Sequence, residues 1–172
     1  MGSSANMMRS LFVVLALVVG LIMLVPRVTE VRQPAVDAAA VAQMAVKESG
    51  LPFLMPVGLP DGWVATQARY GVWPDLTRTW QAGWTTPSGG FVAIKQAAAP
   101  SEAWLKAATA SGPATGTVEL GARVWEIRTD ERKQTHLLSR GADGLTTVLS
   151  SVAGMADLQV FVPALAPAKA AT

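Results

Sequence analysis

The stretch Leu11 to Val25, LFVVLALVVGLIMLV, restricts what this chain can fold into more than any other. Its fifteen residues carry no charge and no strongly polar side chain. Nothing else in the chain is hydrophobic enough to surround it as a core helix. As a helix it spans roughly 22 Å, against a hydrocarbon core of ~30 Å. Met7, Met8 and Val28 lengthen it, with Arg9 and Arg27 snorkelling to the two interfaces. The expectation is a transmembrane anchor over 11–28, preceded by a cytoplasmic N-terminus over 1–10.

A cleaved secretory signal is the rival, because one Arg before a short apolar run also fits that pattern. Pro26-Arg27-Val28-Thr29-Glu30-Val31-Arg32 follows, with no small-x-small cleavage site, which favours the uncleaved anchor. With no cysteine anywhere, a lipid-modified N-terminus is excluded. Arg9 and the α-amino group flank one side, Arg27 and Arg32 the other, so the positive-inside count is near a tie. Long domains translocate largely regardless of flanking charge. The expected location is thus a single-pass cell-membrane protein with its C-terminal domain outside the cytoplasm.

Arg9 aside, 13 Lys and Arg face 12 Asp and Glu. That balance, with no basic cluster beyond Asp130-Glu131-Arg132-Lys133, argues against nucleic acid as a partner. The absence of cysteine also removes disulfides, thiol catalysis and cysteine–zinc sites. Six tryptophans, all between Trp63 and Trp125, are the one compositional oddity.

Pro34, the alanine-rich run to Val46 and a stop at Gly50 predict a helix of about four turns. Its small apolar side reads as a membrane-proximal stalk over 29–50. Three prolines make Leu51–Pro60 a stiff, non-helical linker. Beyond it, alternation of period two predicts strands at Trp63–Val72, Thr79–Thr86 and Phe91–Ala97. Ser101 caps a helix carrying Trp104, Leu105 and Ala108. Thr117–Leu120, Arg123–Thr129, Thr135–Arg140 and Leu145–Val152 continue the sheet, the last two joined by an Ala142-Asp143-Gly144 hairpin. Asp157 opens a final helix with a Leu158, Phe161, Val162, Leu165 stripe that Pro163 shortens or kinks. The fold class expected is α+β: an N-terminal transmembrane helix, then a two-layer sandwich of antiparallel sheet and two helices on one face. The domain covers 51–166, and 167–172 is expected to be a disordered tail.

No catalytic, cofactor-binding or metal-binding residue is assigned. His136 is the only histidine and no HExxH motif is present. A Ser-His-Asp set built on His136 with Ser150 or Ser139 has no sequence signature. Glu119, Glu126, Asp130 and Glu131 read as solvated. Trp63, Trp80, Trp84, Trp104 and Trp125 fall on the apolar sides of their elements and read as core. Trp73, in a turn, is the candidate for an exposed ring that grips a ligand or partner. Ala16 and Gly20, four residues apart in the anchor, form a small-xxx-small face for a partner helix.

Leu59-Pro60-Asp61-Gly62-Trp63, Trp80-Gln-Ala-Gly-Trp84-Thr-Thr-Pro-Ser-Gly and Phe91-Val-Ala-Ile-Lys-Gln96 together resemble an actinobacterial family known as domain of unknown function 4245. Trp125 and Val152-Ala-Gly154 fit the same pattern, so the resemblance covers roughly 52–165 plus the N-terminal span. It implies a membrane-anchored, extracytoplasmic protein and carries over no site residues. The element order is also similar to the Mog1/PsbP-like sandwich, a fold used for binding and assembly, by analogy alone.

The function expected is a non-enzymatic, membrane-anchored binding or assembly module. Its partners are the lipid bilayer and another membrane or envelope protein, with a small apolar ligand possible and no cofactor. The alternatives are a structural subunit packed through its transmembrane helix and an envelope-acting hydrolase.

Overall fold

Seven stretches of alternating apolar and polar residues pair side by side into one antiparallel sheet. The computed structural model describes residues 3–24 and 35–169, in two units, Met1–Gln33 and Pro34–Thr172. In the first unit, helix α1 (Ser3–Leu24) holds the apolar run. Its charge-free part, Leu11 to Leu24, reaches roughly 21 Å, short of a bilayer core. Among the described residues no helix is long and apolar enough to cross a membrane. Residues 25–28, which the expected span also needs, lie outside the described residues.

The second unit contains α2 (Ala38–Ser49), β1 (Leu54–Pro56), β2 (Val64–Val72), β3 (Arg78–Thr85), β4 (Phe91–Ala98), α3 (Glu102–Ala108), β5 (Ala114–Leu120), β6 (Arg123–Thr129), β7 (Thr135–Arg140), β8 (Leu145–Ser151), α4 (Met155–Phe161) and β9 (Leu165–Pro167). The strand order is β2-β3-β4-β8-β7-β6-β5. The chain is thus α+β, built on a large antiparallel sheet. At Asp143-Gly144 the β7–β8 hairpin closes with Gly144 at φ 77°, a conformation that glycine adopts without a Cβ penalty. A Cβ at Gly83 would run into the Phe91 ring and the Gln67 amide, so any side chain there must displace them.

One face of the sheet carries the main core: Trp80, Trp84, Ile94, Trp125, Leu137 and Leu149, packed with Phe53, Leu158 and Phe161. Phe161 meets the edge of Trp84 at 5.1 Å and Trp63 at 5.8 Å. Four of the five tryptophans assigned to the core are buried, and Trp63 packs against it half-buried.

The expected stalk belongs to this core. Ala42 and Ala45 of α2 are fully buried and Ala38 nearly so. A methyl-only stripe buries little area, but it lets the helix axis come close to β2 and β3. Asp37 caps α2 by accepting from the Ala40 N–H, and the Val36 N–H donates to the Ala65 carbonyl at 2.9 Å. The folded unit therefore includes α2 and does not begin at Leu51; residues 29–34 of the expected stalk lie outside the described residues.

The two-helix layer also needs correction. α3 lies on the opposite face, where Trp104 and Ala108 pack on Ala97, Leu138 and Val148. β4 and β5 are four positions apart in the sheet, so their connection must cross it, and α3 rides on that crossover. The first face is already filled by α2, α4 and Phe53. Trp104 docks through its indole N–H, which donates to Thr79 Oγ1 at 2.8 Å.

The linker and the start of the expected tail, through Ala168, are likewise more ordered than expected; residues 170–172 lie outside the described residues. β1 pairs antiparallel with β9, Leu54 opposite Pro167, and the Ala168 N–H donates to the Phe53 carbonyl at 2.7 Å. Pro163 does shorten the last helix: α4 stops at Phe161 and a 3-10 turn covers Val162–Ala164.

Candidate functional site

The α3-covered face of the sheet is where polar and aromatic side chains meet. Its centre is the turn from β2 into β3. The Trp73 N–H donates to the Thr77 carbonyl at 3.0 Å, and the Leu76 N–H to the Trp73 carbonyl at 2.8 Å. The Asp75 carboxylate accepts from the Thr77 hydroxyl at 2.7 Å and from the Ser101 hydroxyl, which fastens the turn to the residue that caps α3. The Ser101 hydrogen bond and then that of Thr77 hold the Asp75 carboxyl below its ordinary range. Leu76 sits at φ 66° and 83% exposed, a left-handed conformation that costs a branched residue energy.

Trp73 is half-buried rather than free. Its ring tilts against Trp104 at 5.9 Å, and Lys95 Nζ sits 5.3 Å from its centroid as a cation–π pair. The indole Nε1 is buried and unpartnered. The exposed-ring expectation is corrected, because the crossover that carries α3 places Trp104 beside the turn. Between the turn and α3 runs a groove of about 760 Å³, lined by Trp73, Trp104, Val72, Ala103, Ala107 and Arg69. That volume lies in the range of small-molecule and peptide-anchor sites.

Farther along the same face, Ser150 Oγ lies 2.8 Å from His136 Nδ1, and Asp130 Oδ2 lies 3.5 Å from His136 Nε2. β7 and β8 place Ser150 directly opposite His136. The other Asp130 oxygen, Oδ1, accepts from the Gln134 N–H at 2.8 Å, which anchors the carboxylate in its loop. Burial alone would raise the Asp130 carboxyl, but the Gln134 N–H and then the neighbouring His136 ring hold it below its ordinary value. Burial, with the Lys95 charge, lowers His136 more than Asp130 raises it. Burial likewise lowers Lys95. Asp130 and His136, read as solvated and as partly buried or at an edge, are both buried, and β7 is an inner strand.

Of the sequence candidates, Ala16 and Gly20 both lie in α1, and a Cβ on Gly20 would meet nothing within 4 Å. They belong to the first unit and Trp73 to the second. Among the described residues no group of three His, Cys, Asp or Glu is placed to hold a metal. Sequence reasoning missed Trp104 as the partner of Trp73 and Lys95 as its cation; it weighed His136 with Ser150 and set the pair aside, reading Asp130, which completes the Asp130–His136–Ser150 line, as solvated. For that pair a signal existed: counting outward equally from the three-residue Ala142-Asp143-Gly144 turn puts His136 opposite Ser150.

A family model described as Protein of unknown function (DUF4245) matches residues 1–165. No curated protein and no solved structure matches the chain.

Proposed function

The chain belongs to the DUF4245 family, and on that footing we propose that it is a binding or assembly module held by α1 at the outer side of a cell membrane. The observation that carries the binding part is the groove walled by Trp73 and Trp104. It combines a large apolar surface with one exposed cation, Arg69, at its side, the composition of a site that anchors an apolar side chain of a partner. The membrane part is supported by α1. Nine large apolar side chains from Leu11 to Leu21 are 46–69% exposed, a surface that water does not tolerate and that lipid or a partner helix covers. Confinement to a membrane raises the effective concentration of a weak binder for other membrane proteins.

The test is site-specific photocrosslinking of the full chain in native membranes, with the photoreactive residue at Val72 or Ala107. A discrete protein adduct that disappears when Trp73→Ala is added supports the groove. Adducts unaffected by Trp73→Ala, or none, overturn it. Carbonate extraction of the same membranes checks the anchor, since release of the chain to the supernatant contradicts it. If crosslinks arise only from positions 16 and 20, the chain is a structural subunit packed through α1.

A further inference from the structure

We propose that Ser150 is a base-activated nucleophile and that the Asp130–His136–Ser150 line transfers small acyl groups from esters to water. This inference does not rest on the groove. It begins from hydrogen-bond geometry: a hydroxyl 2.8 Å from an imidazole nitrogen, whose other nitrogen faces a carboxylate 3.5 Å away. Nucleophile, base and orienting group in that succession are what base-assisted acyl transfer requires. Contacts of this kind are often long before substrate is bound.

The roles follow from the surroundings of each group. His136 Nε2 is buried with no hydrogen-bond partner, and Asp130 is the anion beside it. The carboxylate favours the tautomer with its proton on Nε2, which leaves the Nδ1 lone pair to accept the Ser150 proton. Burial keeps the ring neutral near pH 7, the form that acts as a base. Asp130 is held by Gln134, so it acts as a positioning residue.

The reaction balances without a co-reactant. Ser150 Oγ bonds to the ester carbonyl carbon as its proton passes to His136 Nδ1. The tetrahedral adduct collapses, the ester C–O bond breaks, and the alkoxide leaves as an alcohol with that proton. Water then repeats the sequence on the acyl-serine and releases a carboxylic acid. Because Ser150 is inside a ladder paired with Ala93 and His136, its backbone is not arranged as a turn that offers free N–H groups to an oxyanion. A cation on the neighbouring strand of that face is Lys95, whose Nζ lies over the Trp73 ring: its register partner is Val148, two residues from Ser150 on the same face of β8. Diagonal neighbours of this kind are about 7–8 Å apart at Cα, within reach of a lysine. α3 covers Ala97, Leu138 and Val148, while Ser150 stays half-exposed. Small, unhindered acyl esters are therefore the substrate class.

The test uses the full chain in detergent, a fluorophosphonate probe and p-nitrophenyl acetate. The expected result is one covalent adduct, mapped by mass spectrometry to Ser150. It should be absent in Ser150→Ala, and its rate, like that of p-nitrophenyl acetate hydrolysis, should fall by about 100-fold or more in His136→Gln. Asp130→Asn should slow it about tenfold or more. Lys95→Gln should slow acylation and move the midpoint of its pH profile upward, because the Lys95 charge lowers His136. If Ser150→Ala does not fold, Ser150→Cys carries the test: its thiol should be alkylated by iodoacetamide faster than a free cysteine at pH 6, and adding His136→Gln should remove that advantage. A wild-type chain that is unlabelled or labelled elsewhere, or a Ser150→Cys thiol that reacts only as fast as a free cysteine, overturns the proposal and leaves a buried structural hydrogen bond.

Discussion

Replacing Trp104 with alanine tests the placement of α3 on the second face. Trp104 is fully buried, it is the one aromatic residue of α3, and its indole N–H donates to Thr79 Oγ1. Removing a buried tryptophan costs about 3–5 kcal/mol. Part of that comes from the lost ring contact with Trp73, typically about 0.5–1.5 kcal/mol. A domain of this size is stable by about 5–15 kcal/mol, so the variant should be folded but weak. With about 3–5 °C of melting temperature per kcal/mol at this chain length, the midpoint should fall by about 10–20 °C. The assay is urea unfolding of residues 34–172, followed by tryptophan fluorescence and far-UV circular dichroism. Trp104→Phe separates the hydrogen bond from the packing and should cost about 1–2 kcal/mol. A double cycle with Thr79→Val should show coupling of about 1 kcal/mol. A cost below about 1 kcal/mol for Trp104→Ala would refute the buried placement and return α3 to the surface.

A fragment that starts at Pro34 should unfold in one cooperative transition, whereas one that starts at Leu51 should not, because it strips Ala38, Ala42 and Ala45 from the core; cooperative melting of the shorter fragment would contradict the place given to α2. Trp73→Ala should cost about 2 kcal/mol by equilibrium unfolding, well below the ~3–5 kcal/mol of Trp84→Ala, since Trp73 is only half-buried; equal costs would mean that the turn is core. Stability should also depend on pH through His136, which faces Asp130, Lys95, Arg128 and Glu126. Its folded pKa lies below the unfolded value of 6.5, so the unfolded state takes up the proton first and stability falls as the pH drops through 6.5 toward the folded value. His136→Gln should remove that slope in urea titrations between pH 5 and pH 7. Asp75, Asp130 and Asp143 have lowered pKa values, so their loss comes at lower pH, below 3.8.

What the sequence determined by itself was local. Period-two alternation and turn chemistry located the seven main strands, Ser101 marked the α3 cap, and Pro163 marked the end of α4, because each of these signals acts over a few residues. The aromatic core was legible for the same reason: tryptophans on the apolar side of a strand have one face to fill. What only the tertiary structure decided was which partner each apolar surface meets. Alanine residues in α2 look too small to matter until close approach to β2 turns their methyls into core. Leu165–Pro167 looks like the start of a polar tail until Leu54–Pro56 supplies its ladder partner 111 residues earlier. α3 shows a stripe but not a face; the four-strand crossover from β4 to β5 made that choice. Trp73 was found from its turn, whereas Trp104, Lys95 and the groove beside it exist only once that crossover is closed. His136 and Ser150 were in register by the hairpin count, but the approach of Asp130 depended on a loop held by its own hydrogen bonds, which no alternation pattern records.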